Sequence, residues 1–191
     1  MTAWAGLNPA ATRADAQAAL WDQGAKGEEA TARLLRPLEA LGWQIRHDRA
    51  LPRSGANLDH VLVAPSGRLV VVLDTKAWYL GETRLVRGRV HCGPEDRHEQ
   101  VVKVAGYARR VQEALAVPGV EVLPLLVVHG RPPADGHLDV RVPGFEEPVY
   151  VLDPNWLEPT LEASGRKAPA DPKRAAALVR RVDQVLPRYV G

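Results

Sequence analysis

The feature that most constrains this chain is an unbroken aliphatic run, Leu69-Val70-Val71-Val72-Leu73, bounded by Pro65-Ser66-Gly67 before it and Asp74-Thr75-Lys76 after it. A β-branched run without polar alternation suits a central strand covered on both faces. Residues 58–64 have a similar character and read as its hairpin partner. Pro65 lacks the N–H that a two-residue loop would use, so a four-residue loop over 65–68 is expected. That register sets Asp59 directly opposite Asp74. Asp74 and Lys76 are two apart, so on a strand they project from one face.

Elsewhere the pattern supplies cover for this sheet. Alanine-rich residues 10–23 predict a helix ending at Gly24. A second helix is predicted over 27–41, with Ala30, Leu34, Leu35, Leu38 and Leu41 at helical spacing, a kink at Pro37 and a stop at Gly42. Residues 43–50 read as a strand, 81–91 as a short hairpin near the sheet edge, and 122–128 and 148–152 as further strands. Between them, residues 97–116 carry Val101, Val104, Ala105, Ala108, Val111 and Leu115 on one helical stripe. Asp171-Pro172 supplies an N-cap and a first-turn proline for a C-terminal helix. The order is α-β-β-β-α-β with extras, an α/β (α+β) arrangement in a chain of 191 residues, long enough to bury a sizeable core.

Some classes are set aside. The single cysteine, Cys92, makes no internal disulfide, and no Cys/His spacing suits a structural zinc. The first residues lack the basic-then-apolar order of a signal peptide and no apolar run approaches a membrane span, so a soluble cytoplasmic protein is expected. Net charge is only +2, but from Ser164 onward seven Lys or Arg face two acids. That tail would meet phosphate, or would be a solvated helix face.

The chemistry lies where polar groups replace apolar ones at the strand ends. Carboxylates roughly 5 Å apart across a strand pair repel unless one is protonated or a cation sits between them, and hard oxygen ligands suit Mg²⁺ or Mn²⁺. Lys76 would then hold the attacking water or the phosphate, the requirements of hydrolytic phosphoryl transfer. The competing account is a surface ion pair, with Asp74 capping a turn. His60 alternates away from Asp59 and reads as packed rather than ligating. Trp78 and Tyr79 read as core or rim, or as groups that stack on a base.

Taken in order, Gly27-Glu28-Glu29, Leu51-Pro52, Asn57-Leu58-Asp59-His60-Val61-Leu62-Val63, Pro65-Ser66-Gly67 and Asp74-Thr75-Lys76 resemble the nuclease-related domain (NERD). That domain is similar to the PD-(D/E)XK restriction-endonuclease-like superfamily, with an αβββαβ core and a central mixed sheet flanked by helices. The resemblance implies that Asp59 and Asp74 bind Mg²⁺ or Mn²⁺, that Lys76 is the catalytic lysine, and that Glu28 reaches in as a further metal-binding acid. It also implies that Gln100 points into the site from the second core helix. Asp74 departs from the family pattern, which usually has glutamate there, although the wider superfamily uses either acid. An acid in a first turn is also stabilised by the helix macrodipole, so Glu28, or its neighbour Glu29, retains a structural reading, and Gln100 retains a capping or solvent-facing one. The expected organisation is a helical extension over 1–25, the nuclease-like domain over 26–158 and a basic linker with a C-terminal helix over 159–191. The expected activity is metal-dependent hydrolysis of nucleic acid, DNA foremost, with no membrane partner and a homodimer among the open assemblies. The alternative is a catalytically weak module that binds nucleic acid or protein.

Overall fold

In the computed structural model, residues 9–190 are described, with side chains from residue 23 onward. Helix α1 (Pro9–Ala40) is followed by strands β1 (Gln44–Ala50), β2 (Asn57–Val63) and β3 (Leu69–Trp78). Next come β4 (Thr83–Val86), β5 (Arg89–Cys92), β6 (Glu95–Asp96), α2 (His98–Leu115) and β7 (Glu121–Gly130). The chain closes with β8 (His137–Val140), β9 (Val149–Leu152), α3 (Pro154–Gly165) and α4 (Pro172–Val185).

The hydrophobic run of β3 lies inside a six-stranded mixed sheet of order β1-β2-β3-β7-β9-β8. β1, β2 and β3 pair antiparallel, whereas β7 and β9 continue from β3 in parallel. Alternate residues of β3 feed opposite cores, as the period of two requires. Val71 and Leu73 pack with Leu35 and Leu38 of α1 and Leu157 and Leu161 of α3. Val70 and Val72 pack with Val111 and Leu115 of α2 and Leu178 and Val182 of α4. Helices therefore cover both faces, and the β2–β3 register is the expected one, from His60 opposite Leu73 to Val63 opposite Val70.

The structure differs from the sequence reading in four places. Gly24 does not end the first helix, because α1 continues through it to Ala40. A mid-helix glycine costs only about 1 kcal/mol relative to alanine, which burial of Leu35 and Leu38 exceeds. The 81–91 hairpin does not edge the main sheet; with β6 it forms a separate three-stranded sheet. Its Val90 and Cys92 pack with Val101 and Val104 of α2. β8 and α3 were not expected, although Asp153 and Pro154 carry the same N-cap and first-turn proline signal that located α4.

The basic C-terminal segment is built into the fold. Arg181 donates to the carbonyls of Leu115 (2.9 Å) and Ala114 (3.0 Å), satisfying acceptors that the end of α2 leaves open. Arg174 donates to the carbonyls of Gly67 (2.9 Å) and Gly119 (3.2 Å). Asp183 receives Arg46 and Arg49 from β1. The β2–β3 turn abuts α4 so closely that a Cβ on Gly67, at φ +62°, would lie 2.6 Å from the backbone of Arg174 and Ala175.

Candidate active site

Asp74, Thr75 and Lys76 lie where β3 outruns its pairing with β2. The ladder stops at His60 and Leu73, and the next main-chain donor on β3 is met by a side chain: Asp59 Oδ2 accepts the Thr75 N–H at 2.8 Å. The two acids thus meet at the mouth of the hairpin. Asp74 is 8% exposed, and its Oδ2 has no donor other than the ammonium of Lys76, which closes directly on it. Lys76 also donates to the Thr75 carbonyl at 3.2 Å.

The electrostatics follow from burying acids together. Desolvation, then the Asp74 carboxylate, push Asp59 up to about 7, against the lowering effect of the Thr75 N–H and Lys76. Desolvation also raises Asp74, outweighing the lowering by Lys76 and by Lys103 of α2. For Lys76 the raised value comes from Asp74 and Asp59, with Tyr107 adding to it, against desolvation as the largest single effect. The lysine is therefore held as a cation.

Glu28 is brought to this cluster. Burial raises its carboxyl, Asp48 and Asp74 raise it further, and Lys76 lowers it. Because α1 runs unbroken from Pro9, Glu28 is mid-helix, and the macrodipole no longer accounts for an acid there. The neighbouring Gly27 explains the close approach: a Cβ there would stand 3.3 Å from Thr75 Cγ2. Beneath it, Thr75 Oγ1 donates to Thr31 Oγ1 at 3.1 Å, and Thr31 Oγ1 lies 2.8 Å from His129 Nε2. Glu29 instead faces solvent and pairs with Arg33.

Gln100 has a different partner. Its Oε1 accepts the indole N–H of Trp78 at 3.2 Å, anchoring a tryptophan that is 2% exposed in the core beneath α2. His60 is packed: its Nδ1 meets that of His47 at 2.7 Å, and burial together with His47 lowers it to about 3.

Residues that the sequence reading passed over are Asp48, Lys103 and Tyr107. Lys103 and Tyr107 stand three and seven positions after Gln100, the spacing of one helical face, and that spacing was a usable signal. Asp48 had none, since it sits in the polar strand QIRHDRA. Its backbone adopts φ 51°, and its Oδ1 accepts from Asn57 Nδ2 at 3.2 Å. Among the described residues no three His, Cys, Asp or Glu side chains converge as a ready-made metal cage.

The model of the family described as nuclease-related domain matches residues 23–129, more than half of the chain and every residue of the cluster. Among curated proteins and among solved structures, nothing matches the chain.

Proposed function

Because the chain belongs to the nuclease-related domain (NERD) family, we propose that it is a divalent-metal-dependent nuclease hydrolysing phosphodiester bonds, with DNA as the first candidate substrate. The observation that carries this reading is the meeting of Asp59, Asp74 and Lys76 at the end of β3. The donors suit the metal: they are hard oxygens, raised in pKa by burial and, for Asp59, by its neighbour's charge, and Asp74 Oδ2 lacks any neutral donor. Asp59 and Asp74 would hold Mg²⁺ or Mn²⁺, with Glu28 the third acid. A cation there lowers the pKa of a bound water and offsets charge on the phosphate. Lys76, kept protonated by its acidic neighbours, is no general base; its ammonium stabilises the negative charge that builds on phosphate as the bond breaks. In this reading Gln100 serves by fixing Trp78 beside the active strand, and Lys103 and Tyr107 shape the local field.

A second reading, a weakly active module that binds nucleic acid or protein, is favoured by the direct closure of Lys76 on Asp74, which neutralises the acid without a metal. Incubating the protein with single- and double-stranded DNA and RNA in Mg²⁺, Mn²⁺ or EDTA separates the two. Metal-dependent cleavage that an Asp59→Ala, Asp74→Ala double variant loses, together with calorimetric metal binding, is the expected outcome. Metal binding as tight in the double variant as in wild type would remove the site.

A further inference from the structure

The rim beyond the parallel strands carries two aromatic side chains mounted in the same way. Tyr79, just past the end of β3, is 53% exposed, and its ring lies against Gly130: a Cβ there, at φ +97°, would come within 2.6 Å of two ring carbons. Trp156, in the first turn of α3 beyond the end of β9, is 47% exposed and lies on Gly136, where a Cβ at φ +83° would fall 2.0 Å from the indole nitrogen. Each ring is backed by a glycine and about half of each residue stays exposed, although the His137 ring also lies against Trp156, with centroids 5.4 Å apart at 35°. A buried ring would have completed the core, and a loose one would be mobile; these are held and left open.

Arg131, exposed and paired with no carboxylate among the described residues, lies between them in the chain. Its backbone is pinned, since its N–H donates to the Trp78 carbonyl at 2.7 Å and its carbonyl accepts the Thr83 hydroxyl at 2.5 Å. Asp153, the N-cap of α3, is turned onto the Asn155 N–H at 2.7 Å. Parallel strands present ligand sites at their carboxyl ends, and this is that end of β3, β7 and β9. At about 3.3 Å per residue, Tyr79 lies on the order of 10 Å beyond Lys76; β9 runs two interstrand spacings, a further distance of about 10 Å, to the side of β3 and ends level with Thr75. Each step spans about three stacked nucleotides.

We propose that this rim is a track for single-stranded nucleic acid, with Tyr79 and Trp156 as base-stacking platforms and Arg131 on the phosphates between them. The proposal rests on the nuclease reading, whose active strand leads into the track. A single strand fits better than a duplex for two reasons. Stacked and paired bases in a duplex do not offer their faces to a side chain. Duplex binding also draws on many phosphate contacts, whereas the chain is only +2 and its basic tail is partly engaged within the fold.

Fluorescence anisotropy in EDTA, where no metal supports cleavage, tests this with labelled 15-mers of dT and rU and a 15-base-pair duplex. The full chain is expected to bind at least one single strand at least tenfold more tightly than the duplex, the two arms telling deoxyribose from ribose. Tyr79→Ala and Trp156→Ala should each weaken that binding by roughly five- to 100-fold, as loss of one stacked base predicts. Tyr79→Phe and Trp156→Phe should stay within about threefold of wild type by the same argument, guarding against a folding defect in the alanine variants. No single-strand binding, equal affinity for the duplex, or alanine variants that bind like wild type would overturn the track. Platform-dependent binding by a chain that cuts nothing in Mg²⁺ or Mn²⁺ keeps the track and removes the nuclease reading. Metal-dependent cutting with platform variants of unchanged affinity does the reverse.

Discussion

Replacing Asp59 with asparagine should stabilise the metal-free protein at alkaline pH. Folding moves the Asp59 carboxyl from an ordinary 3.8 to about 7. Between those values the folded chain keeps a proton that the unfolded chain has lost, so stability falls as pH rises; below 3.8 and above 7 the contribution is flat. At about 1.4 kcal/mol per unit, roughly three units correspond to about 4 kcal/mol of destabilisation above pH 7, an upper bound because the side chain is only partly buried. Asparagine removes the charge yet retains an acceptor for the Thr75 N–H. Its new amide hydrogens lack an evident partner, which takes back about 1–3 kcal/mol. The net gain near pH 8.5 is about 2 kcal/mol, or roughly 4–8 °C in melting temperature for a chain of this size. Below pH 4 the gain should vanish or reverse. Calorimetric melts of both proteins in EDTA from pH 4 to 9 check this. An Asp59→Asn protein no more stable than wild type at pH 8.5, or a difference that does not change with pH, would refute the claim that burial and the Asp74 charge disfavour the Asp59 carboxylate.

Lys76→Met keeps most of the stem but deletes the charge that faces Asp74. It should slow single-turnover cleavage by roughly two orders of magnitude with little change in substrate affinity, and stripping Asp74 of its partner should also lower the melting temperature. A folded variant that cuts at the wild-type rate would end the assignment of this lysine. Gly67→Ala should destabilise the fold by more than 1 kcal/mol in denaturant melts, because both the positive φ and the 2.6 Å approach to α4 oppose a Cβ. Removing residues 171–191 should unfold the protein rather than merely flatten the salt dependence of nucleic-acid binding, because Leu178, Val179 and Val182 are buried. A cooperative melt from that truncation, followed by differential scanning fluorimetry, would count against this.

How much of the molecule was legible depended on the range of the forces involved. The β2–β3 register, the shared face of Asp74 and Lys76, the apolar stripe of α2 and the Asp171-Pro172 start of α4 follow from local periodicity, proline geometry and capping. These act over a few residues, so the sequence by itself determined them. The tertiary structure decided what depends on neighbours distant in the chain. Whether α1 stops at Gly24 turned on packing against β3, and with it the electrostatic setting of Glu28. Gln100 bonds an indole 22 positions away, and Asp48 acts on Glu28 through charge alone. Arg174 and Arg181 read as free charge until α4 docks and turns them onto backbone carbonyls. Hydrogen-bond partners and desolvation are set by which surfaces meet in three dimensions, and no periodicity in the chain encodes them.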